Sequence, residues 1–251
     1  MNFHPLSRIA SAIGGLLALA GAAPAMAADS TLQTNFEYHL QIIDLDPNDG
    51  ITAGFTYFDN FMSPWLGVQL HTPGSDQNYV SPFDDNSPVL SANLQAAGAQ
   101  NQVRLVAGNQ MQHQQTLSGS GNLQGIMGQS FQFGLTANTR LQITGTESVH
   151  ATLDPNTSLT TDHWIAYYGW QDQAEGRYGF QSAQQGGSLH HVQDFTLTLD
   201  NLSANSAGYY LYNNSSASLS NVAAVPEADT WAMLGGGLLL LGALARRRKQ
   251  A

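Results

Sequence analysis

Apolar and polar residues alternate along most of this chain with a period of two, the spacing of a β-strand that has one buried face. The clearest cases are residues 35–43 (NFEYHLQII) and residues 194–200 (DFTLTLD). Similar segments are predicted at residues 51–58, 65–70, 102–113, 130–136, 140–153, 163–170, 177–183, 192–202, 208–212 and 217–222. About nine to eleven strands without a convincing amphipathic helix predict an all-β fold, a single antiparallel β-sandwich or jelly-roll-like domain.

Turn-forming residues separate the predicted strands. Residues 44–50 (DLDPNDG) predict a hairpin that joins residues 35–43 to residues 51–58. Residues 72–88 predict a long loop, and residues 90–99 fit a strand and a short helix equally well. Two glycine-rich breaks are expected, one near Gly108 and one across residues 118–128.

The amino end has the pattern of a secretory signal peptide. His4 and Arg8 precede an apolar stretch over residues 9–23, which predicts a signal helix. Ala25 and Ala27 then form a small-x-small cleavage pattern before Ala28. Residues 1–27 are therefore predicted to be removed on export.

The carboxyl end has the pattern of a short membrane helix. An apolar and glycine-rich run extends from Trp231 to residue 245. A basic stop follows it, consisting of Arg246, Arg247, Arg248 and Lys249. Such a charged end stays on the cytoplasmic side of a membrane. Fifteen helical residues span about 22 Å against a hydrocarbon core of about 30 Å, so the predicted anchor is marginal.

This tail resembles the PEP-CTERM sorting tail of Gram-negative bacteria, which has a Val-Pro-Glu-Pro motif, a Trp, a short Leu/Gly-rich helix and an Arg cluster. The motif here is Val225-Pro226-Glu227, with Ala228 at the second proline position. The resemblance implies that an exosortase, a membrane-embedded transpeptidase, cuts near the motif. The part of the chain before the motif, called the body below, then passes to the cell surface or the extracellular matrix. An uncleaved membrane anchor and a buried core helix are the alternatives.

The predicted organisation is thus a signal peptide (residues 1–27), an exported β-domain (residues 28–222) and a sorting tail (residues 223–251). Residues 28–225 carry 16 acidic and three basic residues, a formal charge of −13 without any lysine. Such a body repels phosphate backbones, so nucleic acid is excluded as a partner, whereas divalent cations are attracted. The sequence has no cysteine, so disulfides and thiolate metal sites are excluded.

One turn has the composition of a metal site. Asp44, Asp46, Asn48 and Asp49 bring four side-chain oxygen donors within six residues. Calcium binds about six to eight hard oxygen atoms, so this turn is a candidate calcium site. The EF-hand spacing is not kept, because Gly50 falls one position late. An Asx- and proline-rich hairpin turn is the alternative interpretation.

Aromatic residues are concentrated in residues 164–180 and again in residues 209–212. Exposed Tyr and Trp rings offer flat apolar faces that stack on sugars. The candidate glycan-binding residues are Trp164, Tyr168, Trp170 and Tyr178. Adjacent residues of a strand point to opposite faces, so half of each Tyr-Tyr pair is expected in the core. Packing of the whole set in the core is the alternative.

The sequence does not predict an enzyme or any catalytic residue. The histidines form no HExxH motif, and no nucleophile elbow, P-loop or Rossmann signature is present. His190 and His191 are adjacent and therefore diverge on a strand, which favours a strand start over a metal site.

The sequence therefore favours an exported, non-catalytic surface or matrix protein associated with exopolysaccharide and biofilm. Its expected partners are the Sec export machinery, an exosortase, transiently the inner membrane, and exopolysaccharide. A structural coat protein without a ligand is one alternative. A secreted glycan hydrolase with Asp162 and Glu175 as acid and base is another.

Overall fold

The computed structural model describes residues 29–58, 63–81, 87–106, 108–170 and 175–221. The described residues form eleven β-strands. These are β1 (Ser30–Asp44), β2 (Phe55–Tyr57), β3 (Trp65–Thr72), β4 (Ser75–Val80), β5 (Val89–Ala96), β6 (Ala99–Val106), β7 (Gln110–Leu117), β8 (Gly121–Leu135), β9 (Thr139–Gly169), β10 (Glu175–Asn201) and β11 (Ala207–Asn221).

All the strands belong to one antiparallel sheet in the order β4-β3-β8-β11-β9-β1-β7-β6-β5, with β10 beside β9 and β2 beside β8. The sheet curls until it is nearly closed, so its two halves face each other. Side chains connect the two halves across the interior. Asn101 on β6, for example, donates from Nδ2 to the carbonyl oxygens of Gln69 on β3 (2.8 Å) and Gln124 on β8 (2.9 Å).

The two halves of the sheet separate along the long hairpin formed by β9 and β10. β10 pairs with one edge of β9 along nearly its whole length. The other edge of β9 pairs with β1 over residues 139–152 and with β11 over residues 157–169. Between these segments, at residues 153–156, the neighbours of β9 diverge into the two halves of the curled sheet.

A belt of buried polar side chains divides the core into two apolar clusters. The larger cluster is rich in aromatic residues and includes Phe36, Tyr38 and Phe133, and the smaller one is aliphatic and includes Leu32 and Leu123. The belt residues are all nearly inaccessible to solvent: Thr34, Asn101, His113, Gln115, Thr161, His163 and Ser215. Asn101, His113 and Gln115 make hydrogen bonds across the interior. Because loss of a buried hydrogen bond is costly, these bonds favour one alignment of the two halves.

The predicted all-β antiparallel class is confirmed. The strands, however, form one continuous curled sheet rather than two separate sheets. Residues 90–99 are resolved as strand: β5 ends at Ala96, and β6 begins after Gly98, which has a φ of +72°. The expected break near Gly108 is present, with a φ of +87° at that residue.

Three local predictions were wrong. The glycine-rich break expected across residues 118–128 is limited to residues 118–120, because β8 begins at Gly121 and pairs with β11 and β3. The hairpin of residues 35–43 with 51–58 does not form, because β1 pairs with β7 and β9 while β2 pairs with β8. Residues 45–54 instead pack along the β8–β9 turn, where Leu45 N donates to Asn138 O at 2.8 Å. The predicted loop over residues 72–88 contains β4, a polar edge strand that pairs with β3.

The predicted signal helix, its cleavage site, the sorting motif and the basic membrane stop lie outside the described residues. Within the described part of the chain, no helix has the length and apolar character needed to span a membrane.

Candidate functional site

Five aromatic side chains form one continuous patch on the outer face of the sheet, the face turned away from the core. The ring centroids are 5.2 Å apart for Phe58 and Trp170, 5.6 Å for Trp170 and Tyr210, 6.0 Å for Tyr210 and Tyr212, and 5.8 Å for Tyr212 and Tyr168. Trp170 is 46% exposed and Phe58 39%, and the three tyrosines are half-buried. We call these five residues the outer aromatic patch.

Cross-strand pairing assembles this patch from distant parts of the sequence. Tyr210 on β11 lies opposite Tyr168 on β9 in the antiparallel register, and Tyr212 lies two residues further along the same face of β11. Trp170 follows β9 directly, where its backbone N–H donates to Gly208 O at 3.0 Å. The N–H of Phe58 donates to the carbonyl oxygen of Gln132 on β8 at 3.2 Å.

Two glycines leave the space in which the rings of Trp170 and Phe58 lie. Gly134 on β8 lies opposite Gly208 on β11. A Cβ atom at Gly208 would lie 2.6 Å from Cε3 of Trp170, and one at Gly134 would lie 2.7 Å from Cζ of Phe58. The two rings therefore occupy the space that a side chain at either glycine would need, and they lie side by side with centroids 5.2 Å apart.

Polar side chains border the patch. Gln132 lies opposite Tyr210, Ser130 opposite Tyr212, and Glu175 opposite Tyr168. Burial, together with the neighbouring hydroxyls of Tyr210 and Tyr168, raises the pKa of the Tyr212 phenol, so this group stays a neutral hydrogen-bond donor. Flat apolar rings beside amide and hydroxyl groups match the alternating apolar and hydroxylated surfaces of a sugar ring.

Two of the four predicted glycan-binding residues, Tyr168 and Trp170, belong to the outer aromatic patch. Trp164, Tyr168 and Trp170 lie on the outer face, and the guanidinium carbon of Arg177 lies 5.4 Å from the Trp164 ring centroid. Arg177 thus covers one side of Trp164 by a cation–π contact.

Tyr178 is separated from the other three because its side chain points into the core. Its ring stacks on Phe195 at 4.2 Å, and its hydroxyl donates to Oε2 of Glu147 at 3.1 Å. The expected division of the Tyr-Tyr pairs is confirmed, since Tyr167 and Tyr209 are buried beneath the sheet. Sequence reasoning did not include Phe58 in the site, because its place depends on pairing with β8.

The carboxylates of the candidate calcium turn are engaged in local turn hydrogen bonds. Oδ1 of Asp44 accepts from Asp46 N (3.0 Å), Oδ1 of Asp46 from Asn48 N (3.2 Å), and Oδ1 of Asp49 from Ile51 N (2.7 Å). Each is an Asx turn, the alternative that the composition also allowed. Among the described residues, no group of three or more His, Asp or Glu side chains is arranged to hold a metal ion.

Asp162 and Glu175 both face outward but are far apart. Asp162 lies opposite Gln181 and Glu175 opposite Tyr168, so six residues of β10 separate them. At about 3.3 Å per residue the separation is about 20 Å, whereas glycosidase carboxyl pairs lie about 5–9.5 Å apart. These two residues therefore cannot act on one glycosidic bond.

A second polar constellation lies in the core, where substrates have no access. Nε2 of His113 is 2.8 Å from Oγ of Ser215, and Nδ1 of His163 is 2.8 Å from Oε1 of Glu147. The angle of the second contact does not fit a hydrogen bond, although its length is that of an ion pair. All four side chains are buried, so we assign them to the packing of the core.

Comparison with known proteins gave no match, either to a protein-family model or to a curated protein.

Proposed function

We propose that this protein is a non-catalytic glycan-binding protein of the bacterial surface or extracellular matrix. The observation that carries the proposal is the outer aromatic patch, in which five rings lie together with solvent-facing surfaces. Single exposed aromatic residues are common, but a contiguous exposed patch of large apolar rings is typical of an interaction surface. A polysaccharide with flat apolar sugar faces is the ligand class that fits these rings and their polar border.

The charge of the body narrows the ligand class further. A formal charge of −13 over residues 28–225 repels anionic polysaccharides. The patch therefore favours uncharged sugar units. A calcium-dependent mode, in which calcium joins acidic sugars to the acidic surface, is a second form of the same proposal. The candidate turn at Asp44 to Asp49 would be its first target.

The export and sorting signals at the two ends of the chain form the other part of the proposal. Residues 1–27 would direct Sec export, and residues 223–251 would hold the body at the inner membrane until an exosortase cuts near Val225-Pro226-Glu227. Residues 28–222 would then reach the cell surface or matrix as one β-domain. An intact mass for the surface-exposed protein that still includes Arg246 to Lys249 would contradict this processing.

Affinity electrophoresis tests the ligand. The full-length chain is run through native gels that contain the host's own exopolysaccharide, with calcium and again with chelator. We expect retardation of the wild type, and a loss of retardation in the double variant Trp170→Ala/Tyr210→Ala. Tyr79→Ala is the matched control, because Tyr79 is also exposed (41%) but lies on β4, outside the patch.

The outcomes separate the competing functions. Retardation that disappears with chelator would favour the calcium-dependent form, and retardation that persists would favour direct stacking. Unretarded migration in both gels, together with self-association of the protein, would support a coat protein without a ligand. Release of reducing ends from the polysaccharide would support a hydrolase and refute the non-catalytic proposal.

A further inference from the structure

Two exposed histidines on neighbouring strands direct ring nitrogens at each other. His150 on β9 and His190 on β10 are directly opposite in the register. Their Nδ1 atoms are 2.7 Å apart, and their ring centroids are 4.4 Å apart. Both residues are exposed to solvent. Two nitrogen donors therefore converge on one point at the surface.

This pair forms one end of a shallow groove. Gln33 on β1 lies opposite His150, and Gln114 on β7 lies opposite Gln33, so the four side chains make one row across four strands. The groove has a volume of about 350 Å³, and Thr31 and Thr152 also line it. Its lining therefore supplies amide and hydroxyl oxygen atoms next to the two imidazoles.

The distance between the two Nδ1 atoms is short enough for both to bind one metal ion. Metal–nitrogen bonds to histidine are about 2.0–2.1 Å long. Two such bonds at the right angle of a tetragonal site place the nitrogens about 2.9 Å apart, whereas a tetrahedral angle places them about 3.3 Å apart. From the observed 2.7 Å, a small movement of either imidazole reaches both distances. The general order of affinities for nitrogen and oxygen ligands, in which Cu²⁺ is highest, therefore decides the preferred ion.

We propose that His150 and His190 form a surface binding site for a tetragonal divalent transition-metal ion, of which Cu²⁺ binds most tightly. The ion replaces the proton that otherwise joins the two Nδ1 atoms. Amide oxygen from Gln33 and water complete its coordination, because a tetragonal ion accepts oxygen ligands beside imidazole. Strong net negative charge of the body raises the local concentration of any such cation.

The adjacent histidines His190 and His191 do not form this site together. His191, the neighbour of His190, points to the other face and stacks on Phe180 with ring centroids 3.9 Å apart. The partner of His190 is 40 residues away in the chain and is brought close by the β9–β10 hairpin. This site does not depend on the glycan-binding proposal, because its residues lie outside the outer aromatic patch.

The test is a Cu²⁺ titration of the full-length chain, followed by calorimetry and by electron paramagnetic resonance. We expect one tight site whose spectrum shows two equivalent nitrogen ligands, with affinity in the order Cu²⁺ above Ni²⁺ and Zn²⁺. His150→Ala and His190→Ala should each weaken Cu²⁺ binding at least about tenfold, since even loss of an outer partner of a ligand costs about that much.

His71→Ala is the matched control, because His71 is exposed on β3 with Asp76 as its neighbour at 3.8 Å. Its Cu²⁺ affinity should equal that of the wild type. Thermal unfolding of each metal-free variant checks the fold, and His150→Gln and His190→Gln replace any alanine variant that unfolds. Wild-type affinity in either histidine variant, or a wild-type spectrum with a single nitrogen ligand, would overturn the proposal.

Discussion

Removal of one buried hydroxyl should show how strongly the polar part of the core stabilises this fold. Tyr38 is fully buried, and its hydroxyl oxygen accepts two hydrogen bonds, from Nε2 of Gln129 (2.6 Å) and from Nδ2 of Asn213 (2.7 Å). Tyr38→Phe keeps the ring and its packing but leaves both amide donors without this acceptor. Burial also raises the pKa of Tyr38, so its hydroxyl is neutral at ordinary pH.

The size of the effect follows from the two donors. A buried donor that loses its partner costs about 1–3 kcal/mol, so Tyr38→Phe should lower the free energy of unfolding by roughly 2–6 kcal/mol. A domain of this size loses about 2–4 °C in Tm per kcal/mol, which gives a decrease of roughly 4–24 °C. This is a large share of the roughly 5–15 kcal/mol that stabilises a typical domain.

Urea unfolding, followed by circular dichroism, measures this change. Tyr79→Phe is the control, because the exposed side chain of Tyr79 makes its variant nearly neutral, within about 0.5 kcal/mol. A loss below about 1 kcal/mol for Tyr38→Phe would refute the reasoning, since each donor alone should cost at least that much.

Three further predictions concern pH, charge and the patch. Burial and the neighbouring His163 lower the pKa of His113 to about 3, so the unfolded chain binds a proton that the folded chain excludes. The free energy of unfolding should therefore fall as pH drops below about 6.5, by up to about 1.4 kcal/mol per pH unit from this group. This contribution to the pH slope should be lost in His113→Gln but kept in the control His39→Gln. Arg140 donates to both carboxylate oxygens of Asp200 (2.7 and 2.8 Å) and thereby lowers the pKa of Asp200. Asp200→Asn should lower the free energy of unfolding in urea by at most about 1 kcal/mol at pH 7. This difference between variant and wild type should vanish as pH falls through the lowered pKa of Asp200. Gly208→Ala should push the Trp170 ring off the sheet, shift tryptophan emission and weaken polysaccharide retardation, whereas Gly74→Ala, which adds a methyl group into open space, should change neither.

The period-two pattern was sufficient to find most strands and their inward faces. Phe36 and Tyr38 are buried on β1, and Phe195 and Leu199 are buried on β10, as the alternation predicts. The pattern did not predict that β9 continues through residues 154–162. Its inward positions there include Thr157 and Thr161, which are polar, and pairing with β10 and β11 holds them in the sheet.

The candidate site depended on information that the local pattern does not contain. Aromatic density marked Tyr168 and Trp170, which lie in the outer aromatic patch. It also marked Trp164, which lies on the same face outside the patch, and Tyr178, which points into the core. The addition of Tyr210 and Phe58 depends on registers between strands that are tens of residues apart in the sequence. Local alternation determines on which face a side chain lies, whereas strand pairing determines which other side chains it meets.

The measurement that tests the central claim most directly is hydroxyl-radical footprinting of the wild-type chain with and without the host's exopolysaccharide. If the outer aromatic patch binds sugar, the oxidation of Phe58, Trp170 and Tyr210 should fall when polysaccharide is added. Oxidation of Tyr79, which is exposed outside the patch, should stay the same. Equal oxidation of the patch in both samples, at polysaccharide concentrations that retard the protein, would contradict the account.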